Sequence, residues 1–163
     1  MEERTNIDIL YEIAIERLDA QIKRIDGVDN KIGVTFGLTN AIVAALVAFI
    51  VLLPPPVPRL VSILATLSAC SYLVTLIFLF FAYRSRGWSF RPDIKRLREI
   101  CTDPKYHDYP HLVKEWIANQ CVRSLEWNSQ PLVNKVLLSN NTLYPLSAQG
   151  LFLVASFICY LFN

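Results

Sequence analysis

The sequence is short of the residues that catalysis leans on. It has two histidines, one methionine and five glycines in 163 residues. No Gly-rich phosphate loop, Ser nucleophile elbow or His-Glu-x-x-His pair occurs, which excludes the common NTPase, hydrolase and zinc-protease machineries. The four cysteines form no Cys-x-x-Cys pair, so neither a redox motif nor a disulfide framework is indicated. His107 and His111 stand near Cys101 and Cys121. Their spacing departs from paired zinc-ligand signatures, and ordinary surface or core roles are expected. No enzyme and no cofactor is expected.

Charge is missing where it matters most. Val34–Leu53, Leu60–Tyr83 and Leu143–Phe162 contain no Asp, Glu, Lys or Arg. A bilayer core about 30 Å thick needs about 20 apolar helical residues, and each run meets that length. The hydrophobicity is blocked, not periodic, which favours lipid-facing helices. The expected fold class is an all-α membrane protein. It comprises a cytoplasmic amphipathic helix (1–33), a two-helix transmembrane hairpin (34–83), a cytoplasmic helical segment (84–142) and a third, C-terminal transmembrane helix (143–163).

Acidic residues crowd the first thirty positions, from Glu2 to Asp29, unlike a secretory signal. The N-terminus is expected to be retained. All Lys and Arg except Arg59 lie outside the hairpin turn and the last run. The positive-inside rule then places the N-terminus and residues 84–142 in the cytoplasm, and Pro54–Arg59 and Asn163 outside.

Tyr11, Ile15, Leu18, Ile22, Ile25 and Ile32 recur at spacings of three, four and seven. That is an amphipathic helical stripe near the coiled-coil period. It suits packing on the chain's own cytoplasmic domain or between subunits. Gly27 and Gly33 are expected to bend this helix, because Gly weakens helix interiors. Pro54-Pro55-Pro56-Val57-Pro58 makes a stiff non-helical turn, so spans one and two are antiparallel neighbours. Beyond the second span, a helix is expected from Arg91-Pro92-Asp93 to Ile100. A second runs from about His111 to Ser139, with Pro131 as a kink or interruption.

Within the spans, Asn40 and Gln149 are the most polar side chains. Small residues and hydroxyls accompany them, including Ala44, Thr66 and Ser71. Such groups either join helices or face an aqueous cavity. Three spans cannot enclose a conductive pore alone, so a water path implies several copies about an axis. Asn40 and Ala44 are the expected path residues, with Thr66, Ser71 and Gln149 in support. Phe36 and Leu38 are candidates for a gate that dewets when closed. Arg84, Arg86, Arg91, Lys95 and Arg96 form a basic cluster beside Trp88 and Phe90. It suits an anionic ligand or partner, or a juxtamembrane belt on acidic lipid.

Two segments carry a resemblance. The first runs from Gln21 through Asp29-Asn-Lys31-Ile-Gly33 into Val34-Thr-Phe-Gly-Leu-Thr-Asn-Ala-Ile. The second is Phe90-Arg-Pro-Asp-Ile-Lys-Arg-Leu, followed by Asn128, Leu132, Lys135 and the final span. In order and spacing the chain resembles small bacterial antiphage membrane effectors. These are the Pycsar transmembrane effectors, the SLATT-type proteins and the Hailong membrane effector. The resemblance implies an inner-membrane homo-oligomer, expected to be a tetramer. A nucleotide-synthesising or nucleotide-sensing partner, or its nucleotide product, would control it. Opening would depolarise the membrane and abort infection. The competing expectation is a non-conducting membrane adaptor that recruits a soluble partner.

Overall fold

A computed structural model describes residues 6–84, 88, 94–103 and 109–162. All regular structure among the described residues is helical. The helices are α1 (Asn6–Leu52), α2 (Arg59–Arg84), α3 (Ile94–Thr102), α4 (Pro110–Asn141) and α5 (Leu143–Leu161). Three helical stretches are long and apolar enough to cross a membrane: α1, α2, and α4 running on into α5.

The chain forms two compact units. One comprises Met1–Gly27 and Arg86–Val133, the other Val28–Ser85 and Asn134–Asn163. In the first unit, Ala14 and Leu18 of α1 pack on Ala118 and Cys121 of α4. Tyr11, Ile15, Ile22, Ile117, Val122 and Leu125 close around them. Gln21 Nε2 donates to the Leu125 carbonyl at 3.2 Å, and Lys114 pairs with Asp8 at 2.5 Å. Residue numbers rise together on both helices, so they run parallel here. Of the N-terminal stripe, Leu18 packs on its own chain, with Tyr11, Ile15 and Ile22 against the same core. Cys121 is a core residue, and no metal-ligating group of His, Cys, Asp and Glu occurs among the described residues. His107 lies outside the described residues.

The second unit is a three-helix bundle. Ile32 of α1 packs on Leu79 and Ala82 of α2, with Val28 and Leu138. Phe49 makes edge contacts with Phe157 and Tyr160 of α5, at centroid distances of 5.8 and 5.9 Å. Contacts to α2 descend in number as those of α1 ascend, which makes the hairpin antiparallel. Those to α5 ascend, which makes α1 and α5 parallel.

One period organises the packing. Inward positions on α1 are Tyr11, Ala14, Leu18, Gln21, Ile25, Val28, Ile32, Thr35, Thr39, Ile42, Leu46 and Phe49, all buried or half-buried. Their spacing alternates three and four, the signature of a coiled-coil seam. On α2 the seam is Val61, Ala65, Ser68, Tyr72, Thr75, Leu79 and Ala82.

Neither Gly27 nor Gly33 interrupts α1, which is a single helix. Pro131 lies inside α4 without ending it. Leu132 and Asn128 on either side are buried, and such packing outweighs the lost hydrogen bond. The boundary between α4 and α5 is equally slight. Thr142 keeps right-handed helical angles. Its N–H donates to Leu138 and its carbonyl accepts from Leu146, both at 3.2 Å. Pro145 has no N–H to offer Asn141, which explains the nominal break.

Candidate functional site

The membrane-spanning unit buries polar side chains among apolar ones and is apolar outside. Thr39, Ser68, Thr75, Gln149 and Ser156 are fully buried. Val51, Leu73, Ile77, Leu151 and Val154 project outward at 55–76% exposure. A bundle in water would carry the opposite arrangement. In hydrocarbon, apolar packing supplies no net drive between helices, so hydrogen bonds and close small-residue packing hold them.

Gln149 is the hub. Its Nε2 donates to the Thr39 carbonyl at 3.1 Å, and its Oε1 accepts from Thr39 Oγ1 at 2.6 Å. Ser68 Oγ donates to the Gln149 carbonyl at 3.0 Å. One residue thus ties α5 to α1 and α2. Thr35, Thr75 and Ser156 bond the carbonyl four residues back on their own helices, which satisfies each hydroxyl without a second helix.

Asn40 sits differently. It is half-buried, and its Oδ1 accepts from Tyr72 Oη at 3.0 Å. The amide nitrogen donates to no atom among the described residues. One turn on, Ala44 is exposed on the same side of α1. Phe36 and Leu38 are also exposed, each about half. Thr66 is exposed, with its hydroxyl bonded to the Ser62 carbonyl at 2.8 Å. It lines an apolar groove with Leu46, Ile50, Val61, Ala65 and Ala69. Ser71 is half-buried, and its carbonyl accepts from Thr75.

Charge gathers at one end of this unit. Lys31 Nζ donates to Asn140 Oδ1 at 2.7 Å. Lys135 Nζ meets Asp29 Oδ1 at 2.5 Å. The two short motifs of the resemblance, at Asp29–Gly33 and Asn128–Lys135, therefore join through this ion pair. Asn128, Leu132 and Lys135 are all buried. Arg84 ends α2 and is exposed. Lys95 and Arg96 are exposed on α3, in the other unit. Arg86 and Arg91 lie outside the described residues.

Some of this was readable earlier in the sequence. Asn128, Lys135, Thr142, Gln149 and Ser156 recur every seven residues, and all are buried. That polar heptad row was a legible signal. The Tyr72–Asn40 pairing had none, because it joins residues on different helices. Comparison with protein-family models, with curated proteins and with solved structures gives no match.

Proposed function

We propose that this chain is the pore-forming subunit of a homo-oligomeric channel in the bacterial inner membrane. It would serve as an effector of antiphage defence. The observation that carries the pore is Asn40. A half-buried amide N–H with no acceptor among the described residues costs several kcal/mol in hydrocarbon. Water in a lumen, or a neighbouring copy around one, removes that cost. The protomer's own seam is closed by Thr39, Ser68 and Gln149, so the path runs between copies. Asn40 and Ala44 line it, Thr66 and Ser71 flank it, and Gln149 fixes the helices behind it. Of the two gate candidates, Phe36, one turn before Asn40 on the same side of α1, would close it by dewetting, while Leu38 lies round the helix from Asn40.

A tetramer is the expected assembly. Orientation follows the cations, with the N-terminus and the 84–142 segment cytoplasmic and the C-terminus periplasmic. The unit containing α3 and most of α4 receives the signal from a nucleotide-making or nucleotide-sensing partner, or from its product. The exposed Lys95 and Arg96 offer anion-binding groups there. The defence role rests on the motif resemblance.

The test is single-channel recording from purified protein in planar bilayers, with mass in detergent measured by light scattering. Discrete currents from a defined oligomer, reduced by Asn40→Leu at unchanged mass, are expected. A silent oligomer, also silent with extract from infected cells, favours a membrane adaptor. The separate core around Ala14, Leu18, Ala118 and Cys121 would then be the recruiting domain.

A further inference from the structure

Near the hairpin turn, α1 and α2 leave a groove of about 360 Å³ between them. Leu46, Ile50 and Leu53 form one wall, and Val61, Ala65 and Ala69 the other. That volume is in the range of small-molecule sites, about 300–1,000 Å³. Two hydroxyls also border the groove, and both are spent on their own helix. Ser62 Oγ donates to the Pro58 carbonyl at 3.5 Å, and Thr66 Oγ1 to the Ser62 carbonyl at 2.8 Å. The groove therefore offers an occupant hydrocarbon surface and no free hydroxyl donor. Along α2 it runs from the turn to Ala69. From Arg59 to Ala69 the helix rises about 15 Å, half of a hydrocarbon core about 30 Å thick. Its length is that of one leaflet.

Arg59 stands at the turn end. It begins α2. Ser62, Thr66 and Ala69 follow it at spacings of three, four and three, which puts Arg59 on the face that borders the groove. Helical side chains lean toward the N-terminus, here toward the headgroup level. Arg59 is exposed and pairs with nothing among the described residues. The membrane unit's other cations, Lys31, Arg84 and Lys135, lie at its opposite end. Its one acidic side chain, Asp29, is there too. A second copy inserted in the same sense therefore brings no acidic side chain to Arg59. A phosphodiester supplies the missing charge, and a guanidinium binds it with paired hydrogen bonds. An occupant with a phosphodiester at that level and an apolar chain one leaflet long is a phospholipid.

We propose that the groove between α1 and α2 retains one phospholipid of the leaflet on the hairpin-turn side. An acyl chain lies against Leu46, Ile50 and Ala69, and the phosphate rests on Arg59. An anionic headgroup such as phosphatidylglycerol is preferred, because a zwitterionic one brings its own ammonium beside the guanidinium. The inference rests on the membrane-spanning character of the unit and not on the pore: a silent oligomer would leave it standing. Thr66 meets the lipid chain through its methyl group, whether or not a water path runs beside it.

The experiment is native mass spectrometry of the full chain, released from micelles holding phosphatidylglycerol and phosphatidylethanolamine in equal amounts. The parent should retain phosphatidylglycerol in preference. Arg59→Gln should cut that preference about fivefold, the effect of one cation at an anionic surface. Arg59→Lys should keep most of it. Arg123→Gln, at an exposed cation of the other unit, should keep all of it. Ala69→Phe fills the groove and should lose both lipids at unchanged helix content. Excess soluble glycerophosphoglycerol should displace neither lipid, because it has no chain for the groove. The proposal is overturned if the parent holds both lipids equally, if Arg59→Gln and Arg123→Gln behave alike, or if glycerophosphoglycerol competes. It is also overturned if Ala69→Phe keeps its lipid and lowers the mass of the oligomer, which would make the groove a contact between copies. Arg59 is exposed and unpaired, so Arg59→Gln and the competitor decide the case even where Ala69→Phe misfolds.

Discussion

Thr39 and Gln149 hold each other twice across the membrane unit. The hydroxyl of Thr39 donates to the Gln149 side-chain carbonyl, and the Gln149 amide donates back to the Thr39 backbone. The two residues are 110 positions apart, and neither has measurable exposure. This reciprocal pair fixes the register of α5 against α1. A buried polar contact between helices is a recognised way to select a single register.

Gln149→Leu should lower stability by about 1–2 kcal/mol, since each interhelical bond in a membrane contributes about 0.6 kcal/mol and up to about 1.7. Thr39→Val should lose a similar or smaller amount. The double variant should lose less than the sum of the two, because both changes remove the same contact. Unfolding of the purified protein in mixed micelles measures all three.

Tyr72→Phe removes the one donor that Asn40 Oδ1 has among the described residues. The ring and its packing stay. Mass in detergent should be unchanged, while single-channel conductance shifts by a measurable step as the Asn40 amide reorients. Unchanged conductance alongside a strong effect of Asn40→Leu would place Asn40 on the path without any orienting role for Tyr72.

Leu18→Ala opens a hole between α1 and α4 in the first unit, where Leu18 is 3% exposed. Such truncations cost about 2–5 kcal/mol. Protease should then cut within Met1–Gly27 or Arg86–Val133 sooner than in the parent. The α2–α5 packing of the membrane unit should stay protected. By contrast, Lys114→Ala removes an exposed pair with Asp8 and should cost under about 1 kcal/mol.

The cysteines report both burial and sidedness. Cys101 is exposed on α3, and Cys121 is buried in the first unit's core. A membrane-impermeant maleimide added to spheroplasts should label neither. In opened membranes it should label Cys101 quickly and Cys121 only after denaturant. Fast labelling of Cys101 from outside intact spheroplasts would reverse the proposed orientation.

Much of the helical plan was legible in the sequence. The uncharged runs, the proline turn and the seven-residue stripe reflect local and periodic physics, which a sequence displays directly. Two breakers lie inside helices. Gly27 and Gly33 read as bends, and α1 stays helical through both. A side chain there would meet nothing within 4 Å, so no close approach calls for glycine. Its cost is only an unfavourable propensity of about 1 kcal/mol, which the seam on either side outweighs. Pro131 read as a kink or interruption, and α4 stays helical through it, with Asn128 and Leu132 buried beside it.

Pairings between distant residues were the part the sequence left open. Asn40 and Gln149 stood out as polar groups in apolar runs, but their roles diverge. Gln149 is consumed inside the bundle, whereas Asn40 is half-exposed with an amide to spare. Composition sets which side chains are expensive in lipid. Only the tertiary structure decides which of them find a partner within the chain, because that depends on helix register and direction. The same division holds for Asp29 and Lys135. The sequence carries both charges near apolar runs; the parallel approach of α1 and α4 makes them a pair.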